Sequence, residues 1–119
     1  MPLSIEVREE RGVPLLAVSG QLMMGDEVSQ YREQIFQQVG AGQKRILVDL
    51  NLVEKIDSCG IGALVEMMVY TVKQGGQMKL VRLSRRVQNA LVVHRLAQAF
   101  EIYDTPDAAI ASFNAAASA

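Results

Sequence analysis

"ILVDLNLVEKIDSCGIGALV", residues 46–65, changes character twice within its length. With Arg45 ahead of it, "RILVDL" is a continuous apolar and β-branched run around one acid, the pattern of a strand covered on both faces. Asn51 to Lys55 is mixed in character and reads as a loop. From Cys59 to Gln74 the sequence predicts a helix, stopped by Gly75-Gly76, with Ser58 placed at its N-cap. A strand, a loop and a helix in that order form the kernel of an α/β fold. They carry Asp57, Ser58, Cys59, Gly60 and Gly62 to the carboxyl end of a strand, where sites in open α/β sheets gather.

The flanking sequence extends the kernel in both directions. "LSIEVRE" alternates apolar Leu3, Ile5 and Val7 with polar partners, and "PLLAVSG" follows a break at Gly12-Val13-Pro14; together they predict a hairpin with one covered face. Asp26 is placed to cap a helix to about Val39, in which Val28, Tyr31, Ile35 and Val39 form one apolar stripe before Gly40 and Gly42. Downstream, "QMKLVRL" reads as a strand, Ser84 as the cap of a helix over about 85–96, and "FEIYD" as a short strand. Thr105 caps a last helix with Pro106 at its first position, where the missing N–H costs nothing. The order is ββαβαβαβα: a single layer of mixed, mostly parallel sheet with helices packed on it. One domain is expected over residues 1–113, with 114–119, "NAAASA", as a flexible tail.

The composition narrows the function classes. The chain has 119 residues, enough to bury a core without staples, and a formal net charge of -1. Its densest basic groups, Lys44-Arg45 and Arg82 with Arg85-Arg86, are too small for a nucleic-acid footprint, and with 5% aromatics and no Trp there is no base-stacking platform. No membrane insertion is expected, because the longest apolar stretch, Ile61 to Val72, is short and broken by Glu66. A lone cysteine and a charged N-terminus without an apolar signal region point to a reducing, cytoplasmic compartment of bacterial type.

Several chemistries compete for residues 57–62. A nucleophile elbow requires glycine two residues before the serine, but Ile56 stands there, and the sole histidine, His94, lies in a remote helix. A catalytic or redox Cys59 gains from a helix N-terminus but has no resolving partner. "GIG" is an incomplete phosphate loop without a following Gly-Lys-Ser/Thr. As a substrate, Ser58 would acquire a phosphate of about -1.5 to -2 charge, tolerated by the helix N-terminus and opposed by Asp57. The plainer alternative is that Ser58 only caps the helix. The residue types alone do not separate the cap from the substrate.

The same stretch resembles the signature of STAS domains, specifically bacterial anti-sigma factor antagonists, whose pattern is a buried strand, a short loop and Asp-Ser-Ser/Thr-Gly-Leu-Gly. "VSGQLMMG" lies where that family often has Gly-Glu-Leu-Asp, and "VKQGGQMKLVRLSRRVQNAL" is similar to its Gly-Gly, strand, Ser-x-x-Val and helix segment. The resemblance implies a protein that catalyses nothing and uses no cofactor or metal. It implies that Ser58 is phosphorylated by an anti-sigma factor with serine kinase activity and reset by a serine phosphatase of the PP2C type. Asp57 and Ser58 are then the switch pair, Gly60 and Gly62 open the helix, and Cys59, Ile61 and Leu64 face the partner or lie just beneath it. Cys59 departs from the usual Ser or Thr, and Gln21 and Met23 replace two acids. Met23-Met24 offers either an adaptable apolar contact or buried packing. The same resemblance also accommodates an accessory STAS domain, a signalling scaffold or a lipid-transport subunit, in which Ser58 is only a cap.

Overall fold

Residues 46–50 form the buried centre of a twelve-residue strand, β3 (Arg45–Ile56), in a computed structural model that describes residues 2–118. The run is apolar without alternation because both faces are covered there. The loop expected at residues 51–55 is instead a continuation of this strand. Its neighbour β2 (Val13–Leu22) runs parallel alongside it as far as the pair Leu22↔Ile56, so the polar residues still find a ladder. Two irregularities, between Ala17 and Ser19 and between Gly20 and Gln21, absorb the mismatch. Gly20 has φ +92°, and a Cβ on it would stand 2.3 Å from the Pro2 carbonyl oxygen.

β1 (Ser4–Glu10) pairs antiparallel with β2 through a turn at Arg11 and Gly12, whose φ values of 53° and 80° are those of a two-residue hairpin turn. The turn lies earlier than the expected break, since Val13 and Pro14 already belong to β2. β2 is buried on both faces over Val13–Leu16, which corrects the single covered face expected of the hairpin. β4 (Gln77–Val81) and β5 (Ile102–Tyr103) complete a sheet of order β1-β2-β3-β4-β5, parallel from β2 to β5. The ββαβαβαβα order holds.

Alternation along the strands divides the core in two. Leu16, Val18, Val48 and Leu50 face α1 (Asp26–Gly40), α2 (Ser58–Lys73) and α3 (Arg85–Val93), whose Tyr31, Leu64, Met67 and Leu91 fill the larger core. Leu15, Leu47 and Val81 face the opposite way, onto Ala109, Ile110 and Phe113 of α4 (Pro106–Ser118). Lys79 lies beneath α4 with its side chain 3% exposed, 4.4 Å from the Phe113 ring centroid and 3.3 Å from Glu101 Oε1; it also donates to Ser112 Oγ.

Helix ends differ from expectation where two capping residues stand side by side or the backbone turns left-handed. Gly25, not Asp26, is the N-cap of α1, and Asp26 sits in its first turn. Ser84 caps α3 as expected, accepting from Val87 N–H at 3.3 Å, but α3 stops at Val93 and Arg95 takes φ +58°. Thr105 Oγ1 accepts from Ala108 N–H at 3.1 Å, with Pro106 next. α4 runs on through Ser118 into the stretch expected as tail; Ala119 lies outside the described residues.

Candidate functional site

Asp57, rather than Ser58, is the N-cap of α2. Its backbone is extended (φ -115°, ψ -175°) and its Oδ1 accepts from Gly60 N–H at 2.9 Å, satisfying a first-turn donor. Either residue type is a good cap, and the carboxylate adds favourable charge at the positive end of the helix dipole. Its second oxygen, Oδ2, accepts from Met24 N–H at 2.9 Å. One side chain therefore joins the start of α2 to the segment between β2 and α1. Nothing local in either sequence stretch signals that link.

The capping role moves Ser58 into the first helical position, where it is exposed and makes no side-chain hydrogen bond among the described residues. Cys59 is a free, exposed thiol beside it. Gly60 is buried: a Cβ would stand 2.1 Å from the Leu22 carbonyl oxygen, so backbone meets backbone here. Gly62 is exposed, with open space where a Cβ would go. Ile61 and Leu64 point into the larger core, so neither presents a side chain to a partner. Met24 is 72% exposed and Met23 half-buried, so buried packing does not describe Met24. The structure brings together Met24, Asp57, Ser58, Cys59 and Gly62 as one surface, with Gly60, Ile61 and Leu64 as its foundation.

Burial opposes ionisation of Asp57, yet the backbone N–H groups of Met24, Gly60 and Cys59 outweigh it and hold its pKa below the ordinary carboxylate value. A depressed folded-state pKa stabilises the native state above the unfolded carboxyl pKa, about 3.9, and that contribution fades as pH falls through the lower folded value. Asp57→Ala is expected to cost about 1–2 kcal/mol at neutral pH through the lost cap. In urea melts the difference from wild type should shrink below about pH 4; an equal loss at all pH values would contradict the assignment.

His94 is the exposed C-cap residue of α3 and contacts no member of this surface among the described residues. A second feature missed in the sequence lies on the open half of the α4 side of the sheet, where Arg82, at φ +51°, folds back to pair with buried Asp49 above Ala17 and Ser19.

Residues 4–109 match the STAS domain family. The chain belongs to that family. Within it, a candidate anti-sigma factor antagonist of Thermotoga neapolitana, a TM1081 homolog, is 36% identical over 64 residues, 54% of this chain and 57% of that protein. Two solved STAS-like folds superpose closely. A candidate anti-sigma factor antagonist of Thermotoga maritima gives a TM-score of 0.81 at 24% identity over 91% of this chain and 92% of the other. SpoIIAA, an anti-sigma factor antagonist described for Bacillus as a cell fate determinant, gives 0.77 at 18% identity in its unphosphorylated form, covering 94% of this chain and 97% of its own. Its phosphorylated form gives 0.70 at 19% identity, covering 92% and 99%. At these identities the superpositions establish the fold of this STAS domain.

Proposed function

We propose that this STAS domain is a non-enzymatic anti-sigma factor antagonist of the bacterial cytoplasm, switched by phosphorylation of Ser58. The observation that carries the reading is the division of labour between neighbours. Asp57 meets the structural need for a cap, which leaves the Ser58 hydroxyl exposed, without a fold-stabilising role and flanked by Met24. In the alternative reading, an accessory domain, Ser58 has no capping role either, because the cap is Asp57. In the unphosphorylated state the surface around Ser58 docks on an anti-sigma factor with serine kinase activity and frees the sigma factor to act in transcription. Phosphorylation places a dianion beside the Asp57 carboxylate on a surface matched to a neutral hydroxyl. The helix N-terminus accommodates the charge within the domain, while the partner interface has to desolvate it, so binding is lost without refolding. A PP2C-type phosphatase restores the hydroxyl. The family match and the Thermotoga relative support the reading, as does the solution of SpoIIAA in both phosphorylation states.

The test is phosphate mapping by mass spectrometry after incubation with ATP and serine kinases of the anti-sigma type. Stoichiometric phosphate on Ser58, absent in Ser58→Ala, is expected. Ser58→Asp should weaken partner binding by roughly 100-fold, the order expected for an uncompensated charge at a formerly neutral contact, while Ser58→Ala keeps it. Equal affinity of Ser58→Asp and wild type would sink the charge-switch mechanism.

A further inference from the structure

Five of the eight arginines have a partner within the chain. Arg8, Arg11, Arg32 and Arg82 pair with carboxylates, and Arg45 bonds Asn114 and stands over Phe113. Among the described residues the other three, Arg85, Arg86 and Arg95, have none, and all three sit on α3 or just beyond its end. Lys55 and Lys73, also without partners, stand singly elsewhere. Arg85 and Arg86 occupy the first turn of α3, which holds no acid, so they oppose the helix dipole. Such a placement works against the stability of α3.

The same helix carries exposed apolar surface. Val92 and Val93 are 60% and 75% exposed. Val92 borders a groove of about 190 Å³ walled by Leu83, Leu91, Ala97 and Ile102. The groove runs along β5, the last strand of the sheet, whose outer edge has no neighbour in the sheet order. Unpaired cations, exposed valines and a mainly apolar groove thus lie along or next to α3, in a chain whose net charge is -1.

We infer that the α3–β5 edge is a second docking surface, for an acidic amphipathic segment of a partner protein. Carboxylates on the segment pair with Arg85, Arg86 and Arg95, and an apolar side chain enters the groove beside Val92. Charge complementarity selects an acidic ligand, and the concave apolar floor selects a peptide over a flat lipid surface or a nucleic acid. The inference does not rest on the reading of Ser58.

The experiment titrates the isotope-labelled full chain with a 12-residue peptide bearing Glu on one helical face and Leu on the other, followed by amide chemical shifts. Three comparison ligands are a Lys-for-Glu peptide, phosphatidylglycerol–phosphatidylcholine vesicles and a short DNA duplex. Saturable shifts confined to residues 83–104 are expected, for the acidic peptide only. Kd should rise at least 10-fold in Arg85→Glu/Arg86→Glu and in Val92→Ser/Val93→Ser, and stay unchanged in Ser58→Asp. Because Arg85→Glu/Arg86→Glu puts acids at the helix N-terminus, it should also melt a few degrees higher than wild type, which separates lost docking from lost folding. The inference is overturned if the acidic peptide does not bind, if its shifts centre on Ser58, or if the Lys peptide, vesicles or duplex bind these arginines as well or better. Shifts that track self-association of the chain, with sedimentation mass rising with concentration, would overturn it as well.

Discussion

Gly60→Ala is expected to be among the most damaging single-methyl additions in the molecule. The added Cβ meets the Leu22 carbonyl oxygen at 2.1 Å and Ile56 Cγ1 at 2.8 Å. The first obstacle is backbone, at the end of a strand already fixed by pairing with β3, and it has no rotamer to change. The start of α2 has to move off the sheet, straining the Asp57 bonds to Gly60 and Met24. Overpacking of this kind costs about 3 kcal/mol or more, well beyond the gain of roughly 1 kcal/mol from replacing glycine by alanine in a helix. Gly62 is the control. It lies two residues on, with open space around its missing Cβ, so Gly62→Ala should stabilise the domain by about 0.5–1 kcal/mol. Urea midpoints of both variants check the pair. Similar midpoints would mean that the approach of Gly60 to Leu22 does not determine the seat of α2.

Phe113→Ala should rival it in size, acting on the opposite face of the sheet. Phe113 is the largest α4 side chain in the smaller core, buried against Leu15, Leu47 and Val81, and its ring shelters the Lys79 ammonium at 4.4 Å. Loss of a buried phenylalanine costs about 3–5 kcal/mol. The effect should be local in its dynamics: amides of α4 lose hydrogen-exchange protection first, while those of α2, in the larger core, keep theirs. Lys79→Met, which replaces a buried cation by an apolar group of similar volume, should be close to neutral by comparison. If α2 and α4 lose protection together in Phe113→Ala, the two cores form one cooperative unit.

Much of this fold is legible in the sequence because its punctuation is strong. Gly75-Gly76, Ser84 and Thr105-Pro106 mark element ends by chemistry that few other conformations use, and Ile46–Leu50 can be so apolar only if both faces are covered. The errors arise where a distant partner decides the local structure. Residues 51–55 look like a loop until β2 is set beside them, since polar residues join a ladder when a neighbour offers one. Asp57 and Ser58 are both good caps, and the choice is made by Met24, which is 33 residues away and offers a second amide to the carboxylate. The candidate site was legible as a list of residues. Its division into an exposed group and a buried foundation was not, because Cys59 and Gly60 lie side by side in one turn and only the approach of Leu22 decides which of them is buried. Burial of Lys79 had no signal at all in "QMKLVRL", since a lysine in a strand reads as a solvent residue until a helix, here α4 with Phe113, covers it.

The Asp57 link has a further consequence, in entropy. Met24 projects into solvent, yet its amide is fastened to a carboxylate at the start of a sixteen-residue helix. The segment between β2 and α1 is therefore held in place before any encounter. A protein docking on Met24 would find little backbone freedom left to quench in this segment. Pre-ordering of this kind lets a small surface bind tightly with few direct contacts, and leaves the affinity sensitive to one change in charge.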